Sequence, residues 1–343
     1  MIVFDPLLLM AIILVSSGIT GIPLSFAAFK KTDLGVVEKA LIGFALGLLL
    51  PPLVSFLGVF TLNLKFGLSY GLAVHAIVAV AGIAFAYKER VWEEYKHFSP
   101  IPKLPKGQSF GDYFSFAAHF APIALLFFVI ATFLIRYQSF SPIYSEIDPY
   151  WYLYGAGQLL SQGTIPLKDN IVWYPLLETG HRAVPQLHHL WASWYSLYTG
   201  GGAFDTYMLS IIAGFYAPIF AAFTAFFAYL LFSREYGKSM GLLSAGLLSA
   251  LPIFIQNTAG GQSQATAANF FGFLFFYASL ALALKFKSTR FALLSCFALL
   301  STILSTNVAS AVTTTLFLFT IFQSVLLIFG KNKDDYMYFL KLS

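Results

Sequence analysis

Charge is scarce in this sequence. Asp, Glu, Lys and Arg together make up 10% of its 343 residues, against about 25% in an ordinary soluble domain, while 58% are apolar and the mean hydropathy is +0.76. A water-soluble fold has nowhere to put that much apolar surface. Cysteine is scarcer still. The lone Cys296 excludes an internal disulfide and a cysteine metal cluster, and its apolar neighbours make it a packing residue. No basic stretch precedes the first apolar run, which opens at Asp5 and is too long for the core of a cleaved signal peptide, so it reads as a retained helix. The net charge of +5 gathers into no basic patch of the kind that grips nucleic acid, and no such partner is expected. No internal repeat is evident.

What the chain has instead is long apolar runs. Candidate spans lie at about 5–29, 39–62, 69–87, 116–135, 206–232, 237–256, 266–285, 290–307 and 311–329. The expected architecture is an all-α polytopic membrane protein, with about nine transmembrane helices and a large external loop containing amphipathic helices. With the amino terminus outside, all of the 20 Lys and Arg residues except Lys65, Arg136, Lys168 and Arg182 fall on the cytoplasmic side. This asymmetry is the positive-inside signature, and one miscounted helix would scramble it. The expected location is therefore the cell membrane, with the large loop external and the carboxyl terminus cytoplasmic.

Two stretches break the pattern. Residues from Lys88 to about Ser115 are charged and carry Pro100, Pro102 and Pro105, which reads as a cytoplasmic linker. It divides a three-helix extension, 1–112, from a module at 113–343. The second stretch, the external loop 136–205, is rich in Tyr, Trp, Pro and His, and loops of that length usually carry function or their own structure. Within it, Asp148-Pro149 leads a helix over Tyr150 to Gln162 that ends at Gly163. A second helix is expected from Pro185 to Tyr198, lying along the membrane interface on Trp191, Trp194, Tyr195 and Tyr198.

The external acids are Glu146, Asp148, Asp169, Glu178 and Asp205. A carboxylate here can cap a helix, hold a divalent cation or accept a proton from a nucleophile. The stretch Glu146-Ile147-Asp148-Pro149-Tyr150-Trp151-Tyr152 is followed by Gly163-Thr164-Ile165-Pro166, Asp169-Asn170 and Trp173-Tyr174-Pro175, and then by Pro185-Gln186-Leu187-His188-His189-Leu190. In this order the set resembles the first external loop of GT-C glycosyltransferases, nearest the catalytic-subunit family of oligosaccharyltransferases. The resemblance covers about 113–330.

That resemblance implies transfer of a sugar or oligosaccharide from a polyprenyl or dolichyl phosphate or pyrophosphate carrier to a protein or glycan acceptor on the external face. It makes Asp148 the catalytic carboxylate, acting as base or as the ligand of a divalent cation such as Mg or Mn, with Glu146 assisting. Arg182 becomes a phosphate contact, and Trp173, Tyr174, Gln264 and His188 become candidate substrate contacts. The bland readings stand beside these: helix capping for Asp148, a solvated charge for Glu146, a surface arginine for Arg182, interface anchoring for Trp173 and Tyr174, helix-end satisfaction for Gln264, and packing for His188 and His189.

The sequence departs from the family at Gln264 and Thr266, which stand where its second acidic motif has carboxylates, and it lacks the family's later helices and C-terminal domain. It is thus expected to be either the first portion of a longer protein or a shortened relative. A non-catalytic subunit or scaffold working with other membrane subunits is the alternative. A transporter or flippase fits less well, because nearly all charge falls outside the spans.

Overall fold

The computed structural model describes residues 4–95, 120–138, 148–165, 184–259 and 264–305, together with positions 314, 318 and 321. All regular structure among them is helical. α1 (Pro6–Ala28) starts where Asp5 caps the N–H groups of Leu7 and Leu8, and it runs antiparallel to α2 (Val36–Leu62). The two helices meet backbone to backbone: a methyl group on Gly21 or Gly47 would run into Gly43 or Ser17 opposite. In lipid, small residues at such a seam give the close contact that a hydrophobic effect cannot supply.

The chain continues through α3 (Leu68–Lys88), the short α4 (Val91–Tyr95) and α5 (Ala121–Tyr137). α6 (Asp148–Gln162) and α7 (Pro185–Thr199) follow, at the positions the sequence predicts, with Gly163 and Gly200 both in left-handed geometry just past their ends. Next come α8 (Thr206–Ala213) and α9 (Tyr216–Tyr236), then α10 (Lys238–Ala250), α11 (Pro252–Thr258), α12 (Gln264–Phe286) and α13 (Thr289–Ser305). α9 is the hub, buried from Tyr216 to Leu230 and packed against α5, α10 and α12.

Five helical stretches are long and apolar enough to cross a membrane: α1, α2, α3, the α8–α9 stretch over 206–236, and α12. α10 and α11, bent by 62° at Pro252, make a sixth if counted as one span. The spans expected at 116–135 and 290–307 fall on α5 and α13, apolar helices of 17 residues each, shorter than the usual crossing of about 20. The span expected at 311–329 lies outside the described residues except at 314, 318 and 321.

The first three helices are not set apart. Leu9, Ile13, Leu46 and Leu49 belong to the same hydrophobic core as Trp191, Phe226, Phe275 and Leu294. The turns that carry the basic residues also gather at one end. Lys30 Nζ donates to the Glu89 carbonyl, Arg290 Nη1 to the Ala28 carbonyl at 2.8 Å, and Lys285 to the Arg234 carbonyl. Each cation thereby satisfies a carbonyl left open near a helix end, where its charge also suits the helix dipole.

Two expectations need correction. α7 does not lie on an interface: it is enclosed by α1, α2, α3, α6, α8 and α13, and Trp191, Trp194, Tyr195 and Tyr198 are all buried. Its polar side, with Gln186, His188, His189, Ser193 and Ser196, is buried and finds partners on neighbouring helices, Gln186 at the Leu49 carbonyl and Ser305 and His189 at Ser55. Its apolar side, with Leu187, Leu190, Trp191 and Trp194, belongs to the hydrophobic core, so neither side is left for a membrane surface. Cys296 is exposed on α13 rather than packed.

Candidate functional site

α6 is a helix with two working faces. Tyr152, Ala156 and Leu159 are buried in the core. The other face carries Tyr150, Tyr154, Gly157, Gln158 and Ser161, spaced at three and four residues, and it forms one wall of an open groove of about 700 Å³. The opposite wall comes from Phe204 and from Thr206, Tyr207 and Ser210 of α8. Tyr195 of α7 holds that wall in place. Its hydroxyl donates to the Ala203 carbonyl at 2.9 Å and accepts from the Asp205 N–H at 2.8 Å, while the Asp205 carboxylate caps α8 through the N–H groups of Tyr207 and Met208.

Among the described side chains that line the groove, none is charged. Four aromatic rings, two glutamines and several hydroxyls do, and Gln158 Nε2 donates to the Tyr154 hydroxyl at 3.0 Å. Rings offer apolar faces for stacking, and amides and hydroxyls offer neutral donors and acceptors. Such a surface suits an uncharged ligand rich in hydroxyl groups. Asp148 is the first residue of α6, two positions before Tyr150 at the end of the groove wall.

Behind α6, His188 of α7 is fully buried against Gly155, where a Cβ would lie 2.6 Å from its Nε2. A side chain larger than glycine there would push the two helices apart. His189 shares a 2.8 Å hydrogen bond with Ser55 of α2, and burial lowers its pKa to about 3, so the ring is neutral. Gln186 donates to the Leu49 carbonyl at 2.6 Å, just ahead of the Pro51-Pro52 pair that interrupts the hydrogen bonding of α2, and accepts from Ser305 at 3.2 Å.

Of the site residues expected from sequence, Asp148 opens α6 and Gln264 opens α12; the side chains of both lie outside the described set. Glu146, Trp173, Tyr174 and Arg182 lie outside the described residues altogether. His188 is placed, as packing behind the groove wall. Among the described residues no three His, Cys, Asp or Glu side chains gather as a cation site.

Sequence reading missed Phe204, Tyr207 and Gln158 as groove residues, and it missed Arg136. That arginine, taken as an external loop charge, is fully buried at the end of α5. Its Nη2 donates to the Leu248 carbonyl at 3.1 Å, the acceptor that Pro252, having no N–H, leaves without its helical partner. Nη1 reaches the Ser249 and Thr132 carbonyls at 3.4 and 3.1 Å, Nε donates to Thr258 Oγ1 at 2.6 Å, and the Phe254 ring centroid lies 4.6 Å from Cζ. No local spacing announces this meeting, since the Leu248 and Ser249 acceptors lie more than 100 residues along the chain.

Compared with known proteins, the chain matches no protein-family model, and no curated protein matches it. The class its fold and composition define is an all-helical, multi-pass membrane protein with five or six spanning candidates among the described residues.

Proposed function

We propose that the protein is a membrane glycosyltransferase of GT-C type, moving a sugar or oligosaccharide from a polyprenyl or dolichyl phosphate or pyrophosphate to a protein or glycan acceptor at the external face. The observation that carries this reading is that Asp148, the acid of the motif set, heads the helix that walls a neutral, aromatic and amide-lined groove of about 700 Å³. A lipid-linked donor keeps its chain in the bilayer and its phosphate at the interface, so a groove beside the spans receives the sugar with little loss of orientation.

In the proposed reaction an acceptor hydroxyl or amide attacks the anomeric carbon. The bond from that carbon to the carrier phosphate breaks, the phosphate leaves with the bonding pair, and the acceptor's proton passes to Asp148. Glu146 supports that base, Arg182 steadies the leaving phosphate, and Trp173, Tyr174 and Gln264 contact the sugar. A Mg or Mn ion at Asp148 would stabilise the same phosphate charge; the described residues do not gather the further ligands it requires, and no step is routed through it.

The test is transfer from a synthetic lipid-linked sugar by purified protein in lipid nanodiscs. Asp148→Asn should reduce turnover by about 100-fold or more while thermal stability is unchanged. Full activity in that variant defeats the reading. The scaffold alternative is favoured by Gln264 and Thr266 standing in place of acids, and it predicts no transfer by the wild-type chain alone.

A further inference from the structure

At the basic end, far along α9 from the groove, a second cavity of about 120 Å³ lies where the N-termini of α2, α5 and α10 meet α9. Its apolar wall is Val37, Pro122 and Leu125, and its charged lining is Asp33, Glu38, Arg234 and Lys238. Two of these are already committed. Glu38 accepts from the Gly35 N–H at 2.8 Å, closing the start of α2, and it also accepts from Arg234 Nη2. Arg234 spends its remaining Nη contacts on the Asp33 carbonyl at 3.5 Å.

What stays unspent is informative. Arg234 Nε is buried and donates to no acceptor among the described residues. A buried N–H on a cation without an acceptor is costly, and such a group in a native structure calls for a missing partner. Around it, no described side chain caps the first N–H groups of α5 or α10, and those donors add positive potential. Lys238 stands exposed at the first position of α10. All of this asks for an oxyanion.

The lining also limits which oxyanion fits. Two acids and two bases cancel, so a bare multiply charged phosphate would leave the site with excess negative charge beside Asp33 and Glu38. Asp33 is exposed and its carboxylate accepts no hydrogen bond from a described residue, which suits an ammonium group. The apolar wall suits the start of an acyl or prenyl chain.

We infer that this cavity binds the headgroup of a zwitterionic aminophospholipid, with its phosphodiester on Arg234 and Lys238 and its amine on Asp33. A lipid held there joins α2 to α5, α9 and α10, and so ties the N-terminal helices to the rest of the protein. The inference stands apart from the proposed transferase activity.

Native mass spectrometry of the full chain released from detergent tests it, with short-chain phosphatidylethanolamine, phosphatidylglycerol and inorganic phosphate as probes. One-to-one binding of phosphatidylethanolamine is expected, weakened roughly tenfold by Lys238→Ala and by Asp33→Asn, with phosphatidylglycerol weaker and inorganic phosphate not competing. Both substituted residues are exposed, so the variants retain the fold; Arg234→Lys, which keeps the charge but lacks Nε, should also bind more weakly. Binding by inorganic phosphate alone, equal binding of the two lipids, or lipid binding unchanged in both Lys238→Ala and Asp33→Asn overturns the inference.

Discussion

Arg136 closes α5 and Arg234 lies in the last turn of α9, so both stand at the end of an apolar helix, and both are largely taken out of water. They are held in opposite ways. Arg234 sits at the basic end against Glu38, a carboxylate 9% exposed. Arg136 sits at the other end, and the ion pairs among the described residues, Arg234–Glu38 and Arg90–Glu93, do not include it. Its guanidinium is surrounded by carbonyls, a threonine hydroxyl and a phenyl ring. One arginine answers a charge, and the other answers a broken helix. A guanidinium suits the second task because its planar fork of donors can serve several carbonyls at once.

The larger effect is expected at Arg136. Arg136→Met fills similar space but leaves the Leu248 and Ser249 carbonyls and the Thr258 hydroxyl without their donor. A loss of about 3 kcal/mol or more is expected, read as early unfolding in a denaturant titration of the detergent-solubilised protein. Arg136→Lys should recover only part, because an ammonium group cannot span acceptors on both sides of the Pro252 bend. Wild-type stability in Arg136→Met would mean that the bend at Pro252 holds without it.

At the other arginine the expected effect is smaller. Glu38→Gln leaves Arg234 without its counter-charge, but the side chain is 17% exposed and water relieves part of the cost, so about 2 kcal/mol is expected. The double variant Glu38→Gln with Arg234→Gln should lose less than the sum of the single variants, since neither then leaves a stranded charge. Strict additivity in that cycle would show that the pair is not coupled and that Arg234, like Arg136, works through carbonyls.

Much of this arrangement was legible in the sequence, and the rest was hidden for physical reasons. Apolar runs placed the helices because hydropathy reports burial in lipid directly, and the lysine and arginine asymmetry correctly grouped the turns holding Lys30, Glu89, Lys285 and Arg290. The helix led by Asp148 could be read from its proline and its closing glycine. Arg136 could not, since a hydropathy window takes an arginine after an apolar run as the edge of the membrane, and its acceptors lie more than 100 residues away. α7 was misplaced because an aromatic and polar helix has the same pattern whether it lies on an interface or is enclosed by other helices. The groove needed Phe204 and Tyr207 to meet α6 across a long stretch of chain, which no local spacing announces.

His189, unlike the two arginines, is held neutral by its buried surroundings. Its folded pKa of about 3 lies below the ordinary imidazole value of about 6.5, so between those values the unfolded chain binds more protons than the folded one. Stability from this group is complete above pH of about 6.5 and falls as pH drops, by about 1.4 kcal/mol per unit at the steepest. Unfolding followed from pH 7 to 5 should therefore show a slope that His189→Asn flattens. An unchanged slope would assign the pH dependence to other groups.

The smallest effect belongs to a contact with no charged group in it. Tyr198 of α7 accepts a 2.6 Å hydrogen bond from the Asp5 N–H, joining the start of α1 to the end of α7. Tyr198→Phe removes only that acceptor and keeps the ring that packs on Phe4, so about 1 kcal/mol should be lost, well below the cost at either arginine. The N–H of Asp5 stands near the helix start, where water can replace the lost hydroxyl, and that access keeps the cost low. A loss as large as that of Arg136→Met would place Tyr198 deep in the apolar interior, and the contrast between charged and neutral fastenings would then reflect depth in the membrane rather than charge.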